Sequence, residues 1–165
     1  MGHIGRRVAR LCQAFGANVI AHDPHLQHLS ETTLKTIPFI PLENLLMQSN
    51  VVTLHLPYSD KTHHLLNANN IIQMKPGAIL INAARGGLVD ETALDAALSS
   101  GHLGAAALDS FEQEPYHGVL CNQDKILLTS HMGSLAKESR QRMEIEAAEN
   151  LWAGLIQAGV IDAAL

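Results

Sequence analysis

GAILINAARGGLVDE, residues 77–91, is the stretch from which the fold can be read. Its short apolar run, residues 78–81, predicts a buried strand. Asn82, Ala83, Ala84 and Arg85 follow, then Gly86 and Gly87, which let the backbone turn tightly with positive φ. Asp90 is placed to cap a new helix, DETALDAALSS, with Glu91 in its first turn. In an open α/β sheet, ligands sit in the crevice outside the carboxyl ends of the strands. Arg85 therefore stands where a ligand would lie, and its planar fork suits a carboxylate. The alternative for an isolated arginine is a surface residue paired with a neighbouring acid.

Similar strands flank this stretch. Upstream, residues 50–56 (NVVTLHL) end at Pro57, and a small helix over 67–74 is stopped by Lys75-Pro76-Gly77. Further upstream, residues 36–40 and a short helix over 42–48 are expected. Downstream, residues 104–108 make a small-residue strand closing on Asp109, and a loop over 110–124 carries Glu112, Glu114 and Pro115. KILLT, residues 125–129, is the last strand. A helix over about 134–158 completes the chain, with Ala148, Leu151, Trp152, Leu155 and Ile156 as its expected buried stripe. Alternating strands and helices predict a Rossmann-like, doubly wound, mostly parallel sheet of the α/β class, covered on both faces.

The bulk properties fit one domain. The chain has 165 residues, 47% hydrophobic and 16% charged, which suits a globular protein. A net charge of -5 without a basic run points away from nucleic acid, and no apolar stretch reaches the length of a membrane span. Cys12 and Cys121 have no metal-type spacing and suit a reducing cytoplasm. The ten histidines are scattered, so no metal site is expected.

The opening, MGHIGRRVARLCQAFGANVIAHD, resembles the second half of a dinucleotide-binding unit. Ile4, Val8, Leu11 and Phe15 recur at helical spacing, Gly16 ends the run, and a strand over 18–22 closes on Asp23. Gly2 and Gly5 have the spacing of the last two glycines of G-x-G-x-x-G, and Asp23 stands where an acid meets the adenosine ribose. Glycines let the backbone approach the pyrophosphate, and the helix N-terminus supplies N–H groups.

Asp23, Arg85, Asp109 and His131 all follow predicted strands, and parallel strands bring their carboxyl ends to one edge. His131, with an ordinary pKa of about 6.5, suits acid–base work, and Glu114 could hold its other ring nitrogen. Arg85 would hold a carboxylate. With a nicotinamide nearby, such parts transfer a hydride to or from a carbon bearing a hydroxyl.

Five motifs, GHIGRRVA, NVVTLHLP, MKPGAILINAARGGLVDETAL, GAAALDSFEQEP and ILLTSHMGS, span Gly2 to Ser134. In that order they resemble the cofactor-binding domain of the D-isomer-specific 2-hydroxyacid dehydrogenases. The resemblance implies an NAD-dependent oxidoreductase acting on a small 2-hydroxy or 2-keto acid; a homodimer is the expected assembly. It implies that Arg85 binds the substrate carboxylate, His131 is the acid/base and Glu114 supports it. It further implies that Gly2, His3, Ile4, Gly5, Asp23, Ala83, Ala84, Arg85, Asp109, His131, Met132, Gly133 and Ser134 contact NAD. Asp23 would favour NAD over NADP by repelling the 2′-phosphate. The tail HMGSLAKESRQRMEIEAAENLWAGL is similar to phosphite dehydrogenases of the same family.

The chain also departs from the family pattern. Met1 stands where the first glycine belongs, no strand precedes it, and Ser130 replaces the proline usual before the histidine. The expectation is an N-terminally truncated chain, residues 1–165 being a partial NAD-binding domain without its substrate-binding domain. The missing strand is the central one of the 3-2-1-4-5-6 order. Its neighbours would be left with open edges, which predicts poor stability, or a strand borrowed by swapping or dimerising. Three functions stay open: a dehydrogenase with slight turnover in this form, a remnant that binds nucleotide or oligomerises without catalysis, or a phosphite dehydrogenase-like activity in a full-length form.

Overall fold

The computed structural model describes residues 1–25 and 37–161, in two compact units, Met1–Ser130 and His131–Leu165. The first unit holds α1 (His3–Ala14), α2 (Leu42–Gln48), β1 (Val51–Leu54), α3 (Ala68–Ile71), β2 (Ala78–Asn82), α4 (Glu91–Ser99), β3 (Leu103–Leu108) and β4 (Ile126–Leu128). The second holds α5 (Lys137–Gln157). The four strands form one parallel sheet in the order β1-β2-β3-β4. This α/β arrangement is Rossmann-like.

Local chemistry explains the boundaries. The Asp90 side chain accepts from the Ala93 N–H at 3.0 Å, capping α4 as its sequence predicts. Gly101, at φ 75, ends the same helix in the left-handed region that glycine enters freely. Asn67 caps α3 through the N–H groups of Asn69 and Asn70. The loop over 110–124 contains one short 3-10 turn, Val119–Asn122.

The core lies on one face of the sheet. Val52, Leu54, Leu80, Ala106 and Leu108 point inward against Leu46 of α2, Ile71 of α3, and Leu94, Ala97 and Leu98 of α4. Each fully buried leucine contributes about 1.5–3 kcal/mol of transfer free energy. Val51, Ile79 and Leu127 occupy the alternate positions and are exposed. Their runs are largely apolar, broken only by Thr53 in β1, which predicted burial on both faces. Period-2 geometry with α2, α3 and α4 on one side buries only every second residue.

Ser110 is the one odd member of this interior. It is 3% exposed and its hydroxyl has no hydrogen-bond partner. A buried hydroxyl in that state carries an unreturned desolvation cost. Ser110→Ala is expected to raise stability by about 1 kcal/mol, seen as a Tm rise of a few degrees.

Two expected elements are corrected. The strand over 18–22 reduces to one parallel bridge, Ala21 with Phe39. Ala21 N–H donates to Pro38 and Ile40 N–H to Ala21. Pro38 and Pro41 flank that pair and have no N–H to continue the ladder. Thr36 and the polar segment before it lie outside the described residues. The stripe predicted on α5 is also not buried: Leu151 and Trp152 are exposed, Ala148 likewise, and the helix buries no residue. Among the described residues of its unit, α5 is the only helix or strand, so that unit offers the stripe no surface. On α1, Ile4, Leu11 and Phe15 are likewise exposed, while Gly5 and Ala9 are buried.

Candidate functional site

β2 and β3 are adjacent, so the turns that follow them lie side by side. Asn82, the last residue of β2, is 1% exposed and shapes its turn. Its side-chain amide donates to the Arg85 carbonyl at 2.9 Å, and its side-chain oxygen accepts from the Ala84 N–H at 3.1 Å. The backbone between strand and arginine is thereby closed into a rigid loop. The Asp109 N–H donates to the Asn82 carbonyl at 3.0 Å, tying the end of β3 to the end of β2. Thr129, just after β4, donates its hydroxyl to Asp109 at 2.5 Å. A cleft of about 140 Å³ opens at this edge, lined by Asn82, Ala83, Asp109 and Thr129 among others. Asn82 and Thr129 escaped sequence reasoning. An asparagine ending a strand three residues before an arginine was the available signal, since its amide readily bonds nearby backbone.

Arg85 is exposed, and its guanidinium donates to the Ala84 carbonyl at 2.6 Å. Ala83 is exposed and Ala84 half-buried beside it. Beyond them the chain turns tightly: a Cβ on Gly86 would lie 1.8 Å from the Phe111 carbonyl oxygen. Only glycine permits that approach.

Glu114 sits on the loop after β3, where its carboxylate accepts from the Phe111 N–H at 3.1 Å. It lines a second cavity, of about 430 Å³, with Tyr116, Cys121 and Ser130. Tyr116 stacks on Phe111 at 4.3 Å, and its oxygen accepts from the Leu120 N–H. Burial, with the Glu91 carboxylate nearby, pushes the Tyr116 phenol up to about 12. Burial also raises the Glu91 carboxyl, reinforced by Glu112.

At the amino end, Gly2 is the N-cap residue of α1 in extended conformation, and no side chain caps the helix. A Cβ on Gly2 would meet nothing within 4 Å. The first-turn N–H groups, at His3, Ile4 and Gly5, thus begin a helix with no acid of its own in that turn. Asp23 forms an ion pair with the Met1 ammonium and accepts from the His25 N–H at 2.9 Å. Burial pulls its pKa upward, but these partners outweigh that and hold it below the usual carboxylate range.

His131, Met132, Gly133 and Ser134 are exposed and begin the second unit. His131 has φ 52, and the Met132 carbonyl accepts from the Leu135 N–H. Of the residues expected to converge, Arg85 and Asp109 follow neighbouring strands of the first unit. Asp23, also of that unit, follows the isolated Ala21 bridge, not a strand of the sheet.

His55, following β1, is half-buried and shares a hydrogen bond with Thr53 at 3.0 Å. Burial lowers its pKa from the ordinary 6.5. The unfolded chain therefore binds a proton at higher pH than the folded one. The resulting stability is present above about pH 6.5 and is lost as pH falls towards the folded value. His55→Gln is expected to flatten that part of the stability–pH curve, measured by urea unfolding at several pH values.

Among the described residues, no helix is long and apolar enough to cross a membrane, and no group of three or more His, Cys, Asp or Glu could hold a metal ion.

Comparison with known proteins gives a consistent result. Residues 1–133 match the model of the D-isomer specific 2-hydroxyacid dehydrogenase, NAD binding domain. A glyoxylate reductase of Aeropyrum pernix is 41% identical over 153 residues, covering 92% of this chain and 45% of that protein. A hydroxypyruvate reductase of Thermotoga maritima is 37% identical over 155 residues, covering 92% and 49%. The crystal structure of a glyoxylate reductase from Paecilomyes thermophila superposes with a TM-score of 0.88 at 36% identity, covering 96% of this chain and 48% of that one. The chain spans about half the length of the curated relatives it matches. It belongs to the D-isomer-specific 2-hydroxyacid dehydrogenases, matched through their NAD-binding domain.

Proposed function

We propose that this chain is the cofactor-binding part of an NAD-dependent oxidoreductase acting on the CH–OH group of a small D-2-hydroxy acid. Residues 1–165 are read as part of the NAD-binding domain, α5 included. The observation that carries the reading is the braced turn at the carboxyl edge. Asn82 fixes the backbone of Arg85, and Asp109 lies at the next strand end beside a cleft.

The residues present fit the cofactor. The N-terminus of α1, open at Gly2, suits a pyrophosphate, with Gly5 buried behind it, and Asp23 suits the adenosine ribose. Ala83 and Asp109 line the cleft, Ala84 and Arg85 follow Ala83 on the same turn, and His131, Met132, Gly133 and Ser134 are further contacts proposed from the family resemblance. NAD, when bound, supplies the hydride chemistry.

The chain's own residues have the remaining tasks. Arg85 binds the substrate carboxylate and draws electron density from the neighbouring oxygen. His131 gives a proton to the substrate oxygen in reduction and takes it in oxidation. Glu114 is the residue that the family resemblance assigns to support the imidazole. A homodimer is the proposed assembly.

Calorimetry with NADH, followed by loss of nicotinamide absorbance with glyoxylate, hydroxypyruvate and pyruvate, tests the reading. Binding followed by turnover of any of these acids is the expected result. Binding without turnover across the panel supports the non-catalytic remnant instead, and no binding of NADH overturns both.

A further inference from the structure

Two loops grip the Arg85 turn from opposite sides. From the loop after β1, the His64 N–H donates to the Gly87 carbonyl at 2.7 Å. Leu66 then bridges Val89, donating to Leu88 and accepting from Asp90. From the loop after β3, the Phe111 carbonyl lies against Gly86, and the Glu112 N–H donates to the Glu91 carboxylate at 2.9 Å. The side chains of these two loops then meet. His64 Nε2 lies 2.7 Å from Glu112 Oε1, across a sequence separation of 48 residues. An ionised carboxylate only accepts, so Nε2–H is the donor.

The pair is built rather than incidental. His64 has φ 47, a left-handed conformation that is uncommon outside glycine. His63 stacks on it at 3.8 Å, and the Tyr58 hydroxyl holds His63 in turn at 3.2 Å. The Asp90 carboxylate lies 3.9 Å from His64 Nδ1. His64 is half-buried, with 30% of its side chain exposed, and Glu112 is exposed at 39%, its carboxylate held by His64.

We infer that His64 and Glu112 are positioning residues: their bond closes a ring around Gly86–Glu91 and so fixes where Arg85 presents its guanidinium. The inference rests on the proposed reading of Arg85 as the carboxylate anchor. A small error in placing such an anchor is costly, because binding depends on sub-ångström geometry.

The test uses the full chain with NADH, and oxamate as the small carboxylate probe. His64→Asn keeps a residue that tolerates the left-handed backbone but is too short to reach Glu112. Glu112→Ala removes the acceptor, and Glu112→Gln keeps one. Amide exchange over residues 85–91 is expected to accelerate about tenfold in His64→Asn and Glu112→Ala, with β2 and β3 amides unchanged. Oxamate is expected to bind about 5–10-fold more weakly, with NADH affinity within about twofold, and Glu112→Gln is expected to recover most of both effects. The double variant is expected to add nothing to either single one, as for two ends of one bond. Unchanged exchange in both single variants overturns the ring. Faster exchange with unchanged oxamate affinity overturns the positioning role and leaves a purely structural bond. A wild-type chain that binds NADH but not oxamate sinks the reading of Arg85, while the exchange data judge the ring independently.

Discussion

Gly86→Ala is expected to destabilise the chain by about 3 kcal/mol or more, as severe overpacking does. The added Cβ would sit 1.8 Å from the Phe111 carbonyl oxygen, 2.1 Å from its carbon and 2.8 Å from the Glu112 nitrogen. All three are backbone atoms. That backbone is anchored by the buried Phe111 ring, the bond from Phe111 N–H to Glu114 and the bond from Glu112 N–H to Glu91. It therefore cannot yield cheaply. Gly87 is the control. It has φ 75, and its added Cβ would lie 2.7 Å from the Tyr58 ring, a 47% exposed side chain that can swing aside at the cost of its exposed bond to His63. Gly87→Ala should cost about 1–2 kcal/mol, mostly for the left-handed backbone. Urea unfolding of the two variants at constant m-value makes the comparison, and equal midpoints would contradict the steric argument.

The second large effect is on binding. Arg85→Gln is expected to weaken a small 2-keto acid by about 10²–10³-fold, as for truncating one partner of a desolvated charge pair. NADH affinity should change far less. Arg85→Lys should recover only part, because an ammonium is a point charge without the planar fork. Stability should move by less than about 0.5 kcal/mol. The guanidinium is exposed, and the Asn82 brace holds the turn through backbone atoms at Arg85, which Gln or Lys keeps. An unchanged keto-acid affinity, measured by titration into the NADH-loaded chain, would refute the anchor role.

These two effects separate what the sequence discloses from what it hides. The β2 strand, the positive φ of Gly87 and the Asp90 cap were legible because each rests on local chemistry within a few residues, whereas Gly86 has no positive φ and is required instead by the distant Phe111 carbonyl. The parallel sheet followed from alternating elements, and family motifs supplied the identity of the fold. What failed depended on distant surfaces. Leu151 and Trp152 have the periodicity of a buried stripe, but periodicity does not reveal what the stripe packs against. Val51 and Ile79 read as doubly buried because apolar character alone cannot assign a face to a strand. The strand over 18–22 fell to Pro38 and Pro41, whose effect needed the pairing partner to be known. Asn82 and the His64–Glu112 bond were invisible for a related reason. Their roles lie in what their side chains reach, and neither motif nor composition encodes that reach.

The order of the sheet has a consequence for how the molecule forms. Val51 pairs with Ile79, Ile79 with Ala105, and Ala106 with Ile126, so each strand lies roughly 20–30 residues from its partner. No strand waits for one made much later. As the chain leaves the ribosome, β2 finds β1 already available, then β3 finds β2, and β4 finds β3. Loop-closure entropy is met in three modest instalments rather than one long search. The sheet that aligns the site can thus grow by one crossover at a time, with the Arg85 turn laid down in its middle.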